Sequence, residues 1–187
     1  MSTSTSERRE YFRINDQALI SISPNTEDQQ LESLLKQHAS FTIRSAMNAL
    51  ELEHQAISSK IKRSSPEIFH YFDVINKKID LITNHLVQAS SELSRQIPTT
   101  IDLSASGVAL TTQDSYSVGD QVCIQLLLLP ENNGIICLGI IKQLKAVDKG
   151  YHIAIDFTNI NEDDRELIIK HTMKKQLEDA RNKNPDY

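Results

Sequence analysis

The stretch PEIFHYFDVINKKIDLITNHLVQASSEL, residues 66–93, carries the most regular pattern in the chain. Its apolar residues recur at alternating spacings of four and three, and the positions between them are mostly polar. The repeating residues, called the seam below, are Ile68, Phe72, Ile75, Ile79, Ile82, Leu86, Ala89 and Leu93. This period of 3.5 predicts a long helix of coiled-coil type, with Ser65 as its N-cap and Pro66 behind it.

A second helix is predicted ahead of this one, between Pro24 and the linker 62–65. Thr26 is the expected N-cap, and Gln29 stands three residues later as in a capping box. The apolar stripe of this helix is less regular and comprises Leu31, Leu35, Ala39, Ile43, Ala46, Leu50 and Ile57. Because the linker is short, we expect an antiparallel hairpin, and because each helix would be on the order of 45 to 55 Å long, we expect it to project.

A single hairpin would leave one side of the seam exposed, which favours self-association. Isoleucine at most seam positions disfavours a simple parallel dimer and leans toward three or four strands. We therefore predict a homo-oligomer, dimer or tetramer, whose interface is Ile68, Phe72, Ile75, Ile79, Ile82, Leu86 and Leu93. The alternatives are a monomeric hairpin folded back on the rest of the chain and a hairpin that binds another protein.

The segments on either side of the hairpin predict β-structure. All five glycines follow residue 106, and apolar runs at 11–23, 97–112, 121–129, 135–147 and 151–157 alternate with turn residues. Such spacing is typical of an antiparallel sandwich or small barrel. A last helix is expected from Asn161, with an acidic first turn and an apolar set that covers one end of the barrel: Leu167, Ile168, Met173 and Leu177.

The predicted fold class is therefore α+β, a small antiparallel β-barrel with a C-terminal helix and a long antiparallel helical hairpin inserted between strands one and two. Its parts are 1–24 (tail and first strand), 25–97 (hairpin) and 98–187 (remaining barrel and last helix).

Composition excludes several function classes. Among 187 residues, 20 Lys and Arg stand against 25 Asp and Glu, and the net charge of −5 disfavours nucleic acid and anionic membranes as partners. No apolar stretch approaches the roughly 20 residues of a membrane span, and no apolar export segment opens the chain. Cys123 and Cys137 lie in apolar runs, as buried reduced thiols do, and we expect a cytoplasmic protein without membrane insertion.

The sequence contains none of the catalytic motifs that would indicate an enzyme. The six histidines never occur at metal-ligand spacing, and neither a nucleophile elbow nor a glycine-rich phosphate loop is present. We expect no catalytic residue, no metal, no cofactor and no enzymatic activity.

Two polar clusters instead indicate a ligand site. Three arginines precede the first strand, and alternation in the second strand places Asp102 and Ser104 on the face opposite the apolar core, with Gly107 three residues further. An arginine fork binds phosphate or the O6/N7 edge of guanine, and Asp can accept hydrogen bonds from guanine N1–H and N2–H. The candidate residues for a guanine nucleotide are Arg8, Arg9, Arg13, Asp102, Ser104 and Gly107.

The motifs R-x-x-x-R (Arg9, Arg13) and D-x-S-x-x-G (Asp102, Ser104, Gly107) resemble the signature of PilZ domains. The resemblance implies a six-stranded barrel that binds cyclic di-GMP, in which the two arginines grip guanine and phosphate. The D-x-S-x-x-G strand would hold the other face of the dinucleotide, with Arg8 as an auxiliary. A heptad-bearing insertion also resembles an atypical, oligomeric branch of this family, in which the nucleotide motifs can be lost; here both are intact.

The leading functional hypothesis is a cytoplasmic cyclic di-GMP receptor that couples nucleotide binding to a helical arm for oligomerisation or partner binding. The alternative is a structural adaptor or oligomerisation protein whose barrel no longer binds nucleotide. In that case the arginines form a solvated charge cluster with Glu7 and Glu10, and Asp102 and Ser104 lie on an ordinary exposed strand face. A nucleic-acid-binding barrel is disfavoured by the net charge.

Overall fold

The computed structural model describes residues 12–25, 29–90, 93 and 96–183. Six antiparallel strands close into a barrel in the order β1-β2-β3-β6-β5-β4. They are β1 (Ile14–Pro24), β2 (Thr99–Ser104), β3 (Gly107–Thr112), β4 (Gln121–Leu128), β5 (Asn133–Val147) and β6 (Gly150–Asn159). The barrel is as predicted, except that the apolar run 97–112 forms two strands, because residues 105 and 106 make a tight turn.

The barrel interior is filled by aliphatic side chains that alternate inward along every strand. The wholly buried set includes Ile101, Leu103, Ile124, Leu126, Ile135, Ile153 and Ile155. The C-terminal helix α5 (Glu162–Lys183) adds Leu167 and Ile168 to the buried residues, which confirms the predicted closing helix. Met173 and Leu177 are exposed, contrary to prediction, because the buried face of α5 continues through Thr172 instead.

The insert between β1 and β2 is helical, as predicted, but its first half is not one helix. It consists of α1 (Leu31–Gln37), α2 (Ala39–Glu53), α3 (Gln55–Ser64) and α4 (Pro66–Ser90). Single-residue turns at His38 and His54 separate the first three helices. The predicted start was wrong, because Gln29 lies before α1. The backbone N–H of Gln29 donates a hydrogen bond to Asn25 Oδ1 at 3.0 Å. The predicted cap Thr26 lies outside the described residues.

The base of the insert packs on the outer face of the barrel. A second apolar cluster joins helical residues to side chains of β1, β4 and β5: Leu19, Leu31, Leu34, Phe41, Val87, Leu93, Cys123, Leu127 and Ile136. Ser45 Oγ, on α2, donates to the Gly134 carbonyl at 2.6 Å. By contrast, α3 has no buried residue. The base of the hairpin is therefore folded against the barrel, while its tip lies beyond that contact.

Both cysteines are free and buried, as expected. Cys123 belongs to the cluster under the insert, and Cys137 lies in the barrel interior. Burial raises the pKa of both thiols, so neither is a reactive nucleophile at neutral pH.

Helix α4 contacts α2 through residues outside the seam. Arg44 forms an ion pair with Asp80, and Thr83 Oγ1 donates to Met47 Sδ at 3.0 Å. Each of these α4 residues comes one position after a seam residue, so the seam is rotated away from the hairpin's own contact.

The seam is exposed to solvent over most of α4. Ile68, Phe72, Ile79, Ile82 and Leu86 are all exposed, Ile82 to 62%. A second apolar strip beside the seam, called the outer strip below, consists of Tyr71, Val74 and Leu81, and Leu81 is 71% exposed. Leu93 does not share this exposure, because it is buried in the cluster under the insert.

Among the described residues, no helix is both long and apolar enough to cross a membrane.

Candidate functional site

The two sequence motifs meet where β1 begins and β2 ends. Antiparallel pairing aligns Ile14 with Leu103 and Asn15 with Asp102, so that Arg13, just before β1, lies beside the second motif. Arg13 Nη1 is 3.4 Å from Asp102 Oδ2, and the two side chains are 48% and 38% exposed. An exposed ion pair at this distance contributes at most about 1 kcal/mol to stability. Each group can therefore release the other and bind a ligand instead at little cost in stability.

Ser104 is placed differently from the prediction. Alternation puts it on the same side of β2 as Asp102, yet the residue is buried. Its Oγ donates to the Gly107 carbonyl at 3.2 Å and lies 3.1 Å from Ser106 Oγ. The turn is also bonded to α5, since Arg165 Nη1 donates to the Ala105 carbonyl at 2.8 Å. The Ser104 hydroxyl therefore stabilises the turn between β2 and β3.

Gly107 is required by the approach of β6 to this turn. A Cβ at Gly107 would lie 2.3 Å from the Ile155 carbonyl oxygen. The same contact includes a hydrogen bond of 2.9 Å from the Phe157 amide to the Ser106 carbonyl. Within the D-x-S-x-x-G motif, Ser104 and Gly107 thus shape the turn, and Asp102 is the member that presents an accessible functional group.

Arg8 and Arg9 lie outside the described residues, so their part in the site stays a prediction. The described chain begins with Phe12, which is exposed, followed by Arg13. Of the predicted ligand residues, the structure therefore brings together Arg13 and the segment from Asp102 to Gly107.

A cleft of about 360 Å³ opens beside Arg13. One wall is the start of β1 and the other is α5, and the lining residues are Arg13, Ile14, Asn15, Gln176, Asp179 and Ala180. The sequence analysis did not include Gln176 or Asp179. No signal in the sequence marks them, because their place beside Arg13 depends on how α5 crosses β1.

A second cleft, of about 660 Å³, lies at the opposite end of β1. Side-chain amides dominate its polar lining, among them Asn25, Gln121 and Asn159, and it includes none of the predicted site residues. Across the described part of the chain, no three His, Cys, Asp or Glu side chains are grouped so as to hold a metal ion.

Comparison with known proteins identifies the family. The model of the PilZ domain matches residues 82–174, which run from the second half of α4 through β2–β6 into α5. The chain is a PilZ-domain protein. PilZ domains form a family of cyclic di-GMP receptors. The matched residues include Asp102, Ser104 and Gly107, whereas Arg13 and β1 precede them.

A solved structure confirms the PilZ-like fold. A tetrameric PilZ-domain protein of Xanthomonas campestris, described as self-assembled through a helical bundle, aligns with a TM-score of 0.64 over 91% of each chain at 9% identity. The Bacillus subtilis inhibitor of motility, MotI/DgrA, aligns with a TM-score of 0.49 at 12% identity; the alignment covers 92% of this chain and 53% of that protein. The sequence matches no curated protein.

Proposed function

We propose that this PilZ-domain protein is a non-enzymatic receptor for cyclic di-GMP. The observation that supports this best is the Arg13–Asp102 pair, which joins the two motifs at one accessible edge of the barrel. Arg8 and Arg9 would complete the arginine clamp from the segment before β1. The bonded turn that contains Ser104 and Gly107 would hold Asp102 in place.

The chemistry of these groups suits a guanine dinucleotide. The guanidinium of Arg13 can donate two parallel hydrogen bonds to a phosphate or to guanine O6 and N7. The Asp102 carboxylate can accept hydrogen bonds from guanine N1–H and N2–H. Because the whole chain carries a net charge of −5, the affinity for an anionic ligand has to come from this local arrangement.

Calorimetry with cyclic di-GMP, and with linear GMP as the control ligand, tests the proposal. Arg13→Ala should weaken binding of cyclic di-GMP by about tenfold or more, since a charged hydrogen-bonded contact contributes roughly 1.5 to 3 kcal/mol. Arg63→Ala, at the tip of the hairpin, removes the same side chain far from the motifs and should leave the affinity unchanged. No binding by the wild-type protein at high micromolar nucleotide would overturn the proposal.

The hairpin is proposed as the self-association surface of the receptor. Most of its seam residues are exposed in the single chain, and burying apolar surface of this kind contributes roughly 25 cal/mol per Å². The proposed interface is Ile68, Phe72, Ile75, Ile79, Ile82 and Leu86, without Leu93, which packs within the chain.

The outer strip favours more than two chains in the assembly. A dimer that covers the seam leaves Tyr71, Val74 and Leu81 at its edge, whereas a bundle of four chains gives each α4 two neighbours. The tetramer described for the Xanthomonas campestris protein, assembled through a helical bundle, is consistent with this arrangement.

A second candidate function is an oligomeric adaptor whose barrel does not bind nucleotide. The exposed seam favours it, because that surface is independent of the Arg13–Asp102 pair. A wild-type protein that assembles normally but releases no heat with cyclic di-GMP would establish the adaptor and exclude the receptor.

A further inference from the structure

Helix α5 forms a second wall next to Arg13. The cleft there is bounded on one side by Arg13 and Asn15 and on the other by Gln176, Asp179 and Ala180. Its volume of about 360 Å³ lies at the lower end of the range of roughly 300 to 1,000 Å³ for small-molecule sites. Such a space suits one nucleoside half of a cyclic dinucleotide better than the whole molecule.

This wall is fixed to the strand that carries Arg13. His171 Nε2 lies 2.6 Å from Asp16 Oδ2, and the two side chains are only 9% and 11% exposed. One turn further along α5, Lys175 Nζ lies 3.8 Å from Asp16 Oδ1 and 3.8 Å from Asp179 Oδ1. These contacts hold Gln176 and Asp179 at a defined position relative to β1. The cleft is therefore bounded by two anchored elements.

The groups on the α5 wall complement those of Arg13. A guanine whose O6 and N7 face a guanidinium still presents N1–H and N2–H as donors, and a carboxylate accepts both. A glutamine amide can donate a hydrogen bond to O6. Adenine presents a bare N1 where guanine has N1–H, so the same carboxylate would face a lone pair.

We propose that Gln176 and Asp179 recognise the hydrogen-bonding edge of a guanine seated in this cleft. They are then the specificity-determining residues of α5 in the nucleotide site. The inference rests on the proposed function and extends it. Cyclic di-GMP carries two guanines, of which Asp102 would read one and Asp179 the other. A site built in this way selects guanine over adenine twice.

The test compares two neighbouring carboxylates of α5. Asp179→Ala removes the group that lines the cleft, and Glu178→Ala makes the same change in charge one residue earlier, outside the lining. Affinities for cyclic di-GMP and cyclic di-AMP are measured by calorimetry for each variant and for the wild type. Asp179→Ala should weaken cyclic di-GMP binding by about tenfold or more. It should also lower the ratio of the affinity for cyclic di-GMP to the affinity for cyclic di-AMP. Glu178→Ala should change neither by more than about twofold.

Two further variants separate recognition from helix anchoring. Gln176→Ala should lower the affinity for cyclic di-GMP by roughly fivefold, because a neutral hydrogen bond contributes less than a charged one. Lys175→Met breaks the ion pair with Asp179 but leaves its carboxylate in the cleft, so the selectivity for guanine should be retained. Equal loss of selectivity in Lys175→Met and Asp179→Ala would overturn the inference in favour of a structural role.

The failure of this inference is distinguishable from failure of the receptor proposal. If the wild type binds cyclic di-GMP and Asp179→Ala behaves like Glu178→Ala, the role of α5 is refuted and the receptor stands. If the wild type binds no cyclic dinucleotide, both are refuted.

Discussion

The barrel buries most of its isoleucine side chains, whereas the hairpin exposes several of its own. Ile124, Ile135 and Ile153 are wholly buried in the barrel, while Ile68 and Ile82 of α4 are exposed. One chain therefore completes the core of the barrel but leaves the apolar face of the hairpin uncovered. The comparison shows that the same residue type can build a core in one segment and an exposed apolar face, the proposed assembly surface, in the adjacent one.

The sharpest test of this contrast is a charge in the middle of the seam. Ile79→Asp should reduce the assembly to monomers, because an unpaired carboxylate in an apolar interface is strongly unfavourable. The measurement is light scattering over a range of concentrations. His70→Asp places the same carboxylate at an exposed α4 position outside the seam and should leave the assembly intact. Monomers for both the wild type and Ile79→Asp would show that the seam is not an interface.

The second test compares truncation of one buried and one exposed residue. Leu103→Ala, inside the barrel, should lower the free energy of unfolding by about 3 kcal/mol through lost transfer energy and a cavity. Ile82→Ala should change it by no more than about 0.5 kcal/mol at concentrations where the protein is monomeric. Urea unfolding of the two variants measures both values. An equal loss in Ile82→Ala would mean that the hairpin buries this residue within the chain.

A third test concerns the buried carboxyl of Asp164, in the first turn of α5. Burial, with a smaller contribution from Asp163, raises the pKa of Asp164 from 3.8 to about 7. The folded state therefore binds a proton that the unfolded chain has released between these values, and stability should fall as the pH rises from about 4 through 7. At about 1.4 kcal/mol per pH unit the upper limit of this loss is about 4 kcal/mol.

Asp164→Asn should remove this pH dependence of stability. It should raise the free energy of unfolding at pH 8 by only about 2 kcal/mol, because the variant also loses a favourable charge in the first turn of α5. Urea unfolding at pH 5 and pH 8 measures the effect. Asp163→Asn, at the exposed neighbouring position, is the matched control and should retain most of the slope. A slope that survives unchanged in Asp164→Asn would assign it to other groups.

The smallest expected effect is protection of the base of the hairpin when a ligand binds to the barrel. The chain leaves the insert at Pro98 and reaches Asp102 within four residues, so ordering of the proposed nucleotide site would act close to the base of α4. Hydrogen exchange with and without cyclic di-GMP should show modest protection at 88–97 in addition to protection near Arg13 and at 102–107. Protection confined to the latter two segments would make the hairpin a passive assembly device.

Local patterns predicted the elements whose residues repeat regularly. The seam and Pro66 predicted α4 with its correct start, and alternating apolar runs between turn residues predicted the barrel. Helix breaks at His38 and His54 left no such signal, because neither a proline nor a glycine marks them. The packing of α1 and α2 on the barrel was predicted only as the alternative to a projecting hairpin, since it depends on the outer face of β1, β4 and β5.

The site shows the same division. The two motifs grouped Arg13 with Asp102, and the structure places these side chains 3.4 Å apart because β1 pairs with β2. It assigned Ser104 to an exposed face, whereas the hydroxyl is buried in the turn below α5. The position of a helix across a strand is decided by contacts distant in sequence, among them His171 with Asp16. Alternation within one strand carries no information about such contacts.

The pairing of β1 with β2 has a consequence for the order of folding. Ile14 lies opposite Leu103, although residues 25–98 separate the two strands. Closing a loop of that length as a random coil carries an entropic cost that grows with the logarithm of its length. Helices form from local contacts within about a microsecond, so the insert can fold first and bring its own ends together. Folding of the hairpin then shortens the distance that β1 and β2 must cover, and the barrel closes beside an insert that is already structured.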